Sequence, residues 1–122
     1  MKLRREFLFD AAHHLASYEE GHPNRRIHGH SFRVRVSISG SPNAVTGQIM
    51  DLDQFKAALD RVQIRLDHNL LNDINDLGLP TLENISIWIW NQLHPDLPGL
   101  SEIEIYRDSL GQSVSYQGPQ HG

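Results

Sequence analysis

The sequence predicts an α+β domain, an antiparallel sheet of four strands with two helices packed on one face. Three observations predict it. Residues 32–39 alternate strictly, with Phe32, Val34, Val36 and Ile38 on one side and Arg33, Arg35, Ser37 and Ser39 on the other, the period of a half-buried strand. Two later stretches instead repeat their apolar residues every three or four positions, the period of helices with one buried stripe. The order of segments is strand, loop, strand, helix, helix, strand, strand, which lacks the strand-helix alternation of a parallel sheet.

The first strand falls at residues 3–9, where Leu3, Phe7 and Phe9 share one parity. The polar run "HHLASYEEGHPNRRIHGH", punctuated by Gly21, Pro23 and Asn24, follows as a surface loop of a length usually kept for function. The second strand ends at Gly40. Residues 41–47 read as a turn, leading to a short extended stretch at residues 48–50. In the first helix Leu52, Phe55, Leu59, Val62 and Leu66 form the stripe, with Asp51 or Asp53 at its positive end. "LDHNLLNDINDLG" breaks that pattern. Thr81 then caps a second helix, with Glu83 in its first turn, a stripe of Ile85, Trp88, Ile89 and Leu93, and Pro95 and Pro98 to end it. Trp90 lies two positions from Trp88, off that stripe, and is expected at an interface. Residues 102–108 and 113–117 form the last two strands, with Gly111 in the turn between them.

At 122 residues the chain has the size of a single domain, placed at 1–118 with 119–122 as a flexible tail. No apolar run approaches the roughly 18 residues of a membrane span, so no membrane partner is expected. Fifteen acids against eleven bases leave a charge of -4, without the basic surplus that nucleic acid attracts. The absence of cysteine removes disulfides, thiolate metal sites and thiol nucleophiles. Arg4, Arg5 and Glu6 interrupt the first apolar residues, so the start lacks the core of a signal peptide and a cytoplasmic location is expected. Four strands leave two sheet edges open. Pairing those edges between subunits would close them, although a helix can also cover an edge.

Eight histidines are the informative excess. His28 and His30 flank Gly29 just before the clean strand, so a period of two sends both rings to one side, about 7 Å apart at the backbone. His13 ends the first strand region with the parity of Leu3, Phe7 and Phe9, and it supplies a third nitrogen if the two strands pair. His14 competes for that place. Three histidines with an open fourth position match a catalytic zinc site; the plainer reading of His-x-His is a chance pair at a strand end. Asp67 beside His68 can set the imidazole tautomer and raise its basicity, or can simply close a polar helix end. Glu83 reads most simply as a first-turn helix carboxylate, and His94 and His121 as solvated surface.

The ordered set "FDAAHHL", "IHGHSFRVRVSISG", "TGQIMDLDQFK", "LDHNLLND" and "PTLENISIWIW" resembles the 6-pyruvoyl tetrahydropterin synthases over nearly the whole chain, most closely the 6-carboxytetrahydropterin synthase branch of queuosine biosynthesis. The resemblance implies the tunnelling fold, with subunits forming trimeric barrels that stack as hexamers. It implies Zn(2+) on His13, His28 and His30, and a proton relay of Asp67 and His68. The implied activity is a lyase that acts on the pterin-like small molecule 7,8-dihydroneopterin triphosphate and yields 6-carboxy-5,6,7,8-tetrahydropterin. Two positions depart from the pattern. Where most members carry a cysteine as general base, four residues before the first histidine of H-G-H, this chain has Asn24; Glu19, Glu20 and His22 lie in the same loop, and His22 is the expected substitute. Where the family clamps its pterin with a glutamate near the end of the third strand, this chain has Arg107, followed by Asp108. Arginine offers donors only, so it cannot accept from the ring's amine edge. Asn24, Glu83, Arg107 and Asp108 are the expected substrate contacts. Two other functions stay open: a zinc enzyme acting on another pterin-like or purine-like compound, and a metal-containing binding protein without catalysis.

Overall fold

The computed structural model describes residues 1–119; His121 and most of the expected tail lie outside the described residues. The elements are β1 (Lys2–His13), β2 (His28–Ser39), α1 (Leu52–Leu66), α2 (Leu82–Leu93), β3 (Leu100–Arg107) and β4 (Gln112–Tyr116). The strands form one antiparallel sheet in the order β1-β2-β3-β4. Both helices lie on one face of it, as expected. β1 runs four residues further than its apolar pattern suggested, and β2 begins at His28, so the H-G-H stretch belongs to the strand.

The register places Phe7 against Val34, Phe9 against Phe32, Val34 against Ile105 and Val36 against Ile103. This is the apolar face. Phe55, Ala58, Leu59, Val62 and Leu66 of α1 pack on it together with Ile85, Trp88, Ile89 and Leu93 of α2, each large side chain contributing about 1.5–3 kcal/mol by leaving water. The opposite face is charged. There Arg33 bonds Glu6 and Asp108, Arg35 pairs with Glu6 and Glu104, and Tyr106 donates its hydroxyl to Glu104.

Asp51 caps α1 by accepting from the Asp53 N–H, and Thr81 caps α2 by accepting from the Asn84 N–H. Three expectations need correction. Leu52 is exposed, because it occupies the first helical position, before the chain has turned toward the sheet. Residues 48–50 form no strand; the Asn43 side chain and backbone organise this segment as a turn. Trp90 is buried within the chain, against Tyr116 and Gly118, because α2 is covered on more than one side. At Gly118, with φ 94°, a Cβ would stand 2.5 Å from Trp90 Cζ2, so only glycine admits this contact. Trp88 donates its indole N–H to the Asn75 carbonyl at 3.3 Å. No helix among the described residues is long and apolar enough to cross a membrane.

Candidate metal centre

The pairing of β1 with β2 carries the apolar face to its end, where it changes from hydrocarbon to imidazole. Phe9 and Phe32 stack at 4.6 Å between ring centroids. The next pair on that face is Ala11 with His30, and the one after it is His13 with His28. Strand alternation and register are therefore sufficient to bring the three histidines together. His13 is fully buried, His28 and His30 are half-buried, and one ligand nitrogen from each lies within 4.8 Å of the others. The rings of His13 and His30 stand edge-on to Phe32, at 6.4 and 5.9 Å, so an apolar floor supports the cluster.

Backbone carbonyls set two of the tautomers. His13 donates from Nδ1 to the Pro80 carbonyl at 2.8 Å, and His28 donates from Nδ1 to the Arg26 carbonyl at 2.7 Å. Each Nε2 is then a bare lone pair, and the two stand 2.9 Å apart. Lone pairs at that distance repel unless a cation or a proton sits between them. A proton is disfavoured at two of the three rings. Burial, more than any charge, lowers His13 below 6.5, against the opposing bond to Pro80, and burial with the charges of His13, Arg107 and His28 lowers His30 to about 4. Converging imidazoles, two of them oriented by carbonyls, are the donor set of a three-histidine zinc site with one open position. The residues fit the ion.

Asp67 and His68 follow α1 directly. Asp67 Oδ1 accepts from the Asp10 N–H at 2.8 Å and Oδ2 from His68 Nδ1 at 2.9 Å, and these bonds hold the Asp67 carboxyl below its ordinary range. The His68 N–H returns to the Asp10 carbonyl, and Leu70 bridges Ala12, so this segment lies along the outer edge of β1. His68 has φ 60°, in the left-handed region normally left to glycine. Its Nδ1 is committed to Asp67, which leaves Nε2 as an acceptor. His68 and His30 line one open cleft of about 500 Å³.

The other expected site residues separate into two groups. Arg107 is on the histidine side of the sheet, near enough to oppose protonation of His13 and His30, and Glu83 and Tyr18 are the acidic groups that act on it. Asn24 pins the long loop to the exit of β1 by accepting from the Leu15 N–H at 2.8 Å. His22 caps the short helical turn Pro23–Arg25: its Nδ1 accepts from the Asn24 N–H at 3.0 Å and its ring stacks on Tyr18. That bond uses the lone pair a general base needs and leaves the ring's hydrogen on Nε2. Asp108 turns to the charged face, where it holds Arg33 at 2.9 and 3.2 Å, so the structure does not bring it to the histidines. His14 is held through its backbone by Asn72 and does not join the trio. His94 is exposed.

Sequence reasoning missed the Pro80 and Arg26 carbonyls, because a backbone group carries no residue signature. It also missed Asp10, whose two peptide groups bracket the relay, and Tyr18. An aspartate in the last third of a strand, on its polar side, gives no sign that it is used.

Residues 2–119 match the family described as 6-pyruvoyl tetrahydropterin synthase. The 6-carboxy-5,6,7,8-tetrahydropterin synthase of Synechocystis sp. is 42% identical over 122 residues, covering 95% of this chain and 92% of that protein. The dihydroneopterin monophosphate aldolase of Pyrococcus furiosus is 38% identical over 110 residues, covering 88% and 86%. Among solved structures, the Caenorhabditis elegans 6-pyruvoyl tetrahydropterin synthase superposes with a TM-score of 0.86 at 22% identity, covering 98% of this chain and 96% of that one.

Proposed function

The chain belongs to the 6-pyruvoyl tetrahydropterin synthase family, and from that premise we propose that it is a zinc-dependent lyase converting 7,8-dihydroneopterin triphosphate to 6-carboxy-5,6,7,8-tetrahydropterin in the cytoplasm. The observation that carries the reading is the convergence of three imidazoles, two of which have their Nδ1 hydrogens committed to carbonyls and their bare Nε2 atoms aimed at one another, in a chain with a 42% identical relative named for that product. His13, His28 and His30 would hold the zinc. When bound, the ion supplies a Lewis acid that takes up negative charge developing on a substrate oxygen.

The remaining roles fall to the chain's own residues. Asp67 stays ionised and fixes the Nδ1–H tautomer of His68, so His68 Nε2 is the group that accepts and returns a proton. Glu83 and Asn24 border the site from α2 and the long loop. His22 holds that loop in shape. Subunits associate edge to edge as trimers or hexamers, which closes the open sides of β1 and β4.

Arg107 favours a second reading, in which the same metal site acts on a different pterin-like or purine-like compound, because its donors cannot pair with an amine edge. Turnover of 7,8-dihydroneopterin triphosphate by zinc-loaded protein, with products separated by mass, decides between them. The first reading expects a 6-carboxypterin product, one metal per chain, and loss of both in His28→Ala. Zinc bound without turnover would reject that substrate and keep the second reading. Full metal content in His28→Ala would reject the ligand assignment itself.

A further inference from the structure

We propose that Arg107 binds an oxyanion of the ligand, a carboxylate or phosphate group, beside the three histidines; this rests on the metal reading above and names the class of ligand that site takes. Arg107 is the last residue of β3, on the face of Ile103 and Ile105. One step past the final pair, Arg33 with Tyr106, it falls opposite Phe32 and hence diagonal to His30 on the same face, within reach of a long side chain.

Its Nε is the one buried side-chain polar atom without a hydrogen-bond partner among the described residues. Two other arginines show the contrast. Arg33 holds Glu6 and Asp108, and Arg25 holds the Ala16 and Tyr18 carbonyls. Leaving a buried charged donor unpaired costs more than leaving a neutral one, so this group at the strand end, on the face of the histidines, is left for a ligand to satisfy.

The charges around it point the same way. Glu83 and Tyr18 favour the guanidinium only from a distance, since neither forms an ion pair or hydrogen bond with it among the described residues, while burial works against it. Adding a divalent ion on the three histidines would place two cationic centres on one end of this sheet face. An anion answers both. The guanidinium fork suits the paired oxygens of a carboxylate or phosphate, and it offers nothing to a donor edge.

The test uses full-length protein loaded with cobalt(II), whose visible absorption responds to its surroundings, titrated with inorganic phosphate and separately with acetate. Metal content is measured alongside, and circular dichroism checks the fold. We expect at least one anion to bind wild type, to bind Arg107→Gln at least tenfold more weakly, about 1.4 kcal/mol, and to recover partly in Arg107→Lys, with metal content unchanged throughout. Which anion responds separates phosphate from carboxylate ligands. Equal affinity in wild type and Arg107→Gln, or no response of metal-loaded wild type to either anion, overturns the proposal. If wild type binds no cobalt, the metal reading fails on its own, and the arginine is judged on the metal-free chain: thermal stabilisation by phosphate or acetate that vanishes in Arg107→Gln supports it, and none overturns it.

Discussion

Two carbonyl groups do for His13 and His28 what no side chain in the cluster does, since by occupying Nδ1 they decide which nitrogen is free. Asp67 does the same for His68. The left-handed backbone at His68 has a cost that glycine would not incur. His68→Gly should therefore leave the melting temperature unchanged or raised and metal content intact, while turnover falls by about 10²-fold or more. A clear loss of stability would show that the imidazole serves the fold. The buried rings also give the metal-free chain a pH signature. In the folded state His30 titrates near 4 instead of 6.5, and His13 is lowered too, so the unfolded chain takes up protons first. Stability is present above 6.5 and is lost progressively as the pH falls toward 4. Thermal melts of metal-free protein across that range should show the decline, and His30→Gln should flatten it. An equally steep decline in the variant would assign the effect to other groups.

Strand pairing acts as a ruler for the site. β1 and β2 were visible in their alternation, and once they pair, parity alone puts His13, His28 and His30 on one side; that much of the centre was legible in the sequence. The length of β1 was not, because Asp10 and Ala12 carry no apolar signal on its polar side. Nor could spacing show that Asp108 turns away from Arg107, since the short helical turn at 108–110 sends its carboxylate to Arg33. The role of His22 as a cap was equally hidden, because a histidine in a polar loop looks the same whether its lone pair is free or bonded. Phe32 joins core and site. Its truncation to alanine should cost about 3–5 kcal/mol and weaken metal binding, because the rings of His13 and His30 lose their floor. Phe55→Ala, on α1, should cost a similar amount of stability and leave metal affinity alone. Equal metal loss in both would mean that the cluster depends on global stability only.

At the scale of the molecule, one sheet face is covered by helices and the other satisfies its own charges, through Arg33, Arg35 and their carboxylates. Among the described residues, what stays open is the sheet's perimeter, along β4 and the first part of β1. Edge pairing between copies should give sedimentation masses of three or six chains at micromolar concentration. A single-chain mass that persists as concentration rises would remove the assembly from the proposal. The chain has two tryptophans, and both lie on α2, Trp88 bonded to Asn75 and Trp90 packed against Tyr116 and Gly118. Trp88 stands seven residues past the cap, about 10 Å along the helix axis, so neither indole belongs to the histidine cluster. The tryptophan emission of this protein, excited at the red edge where tyrosine does not absorb, thus originates from a single helix. A fluorescence-monitored melt reports α2 leaving the sheet, whereas cobalt(II) at the imidazoles, or an anion joining it, is read in the visible, so occupancy and unfolding can be followed together in one cuvette as two separate colours.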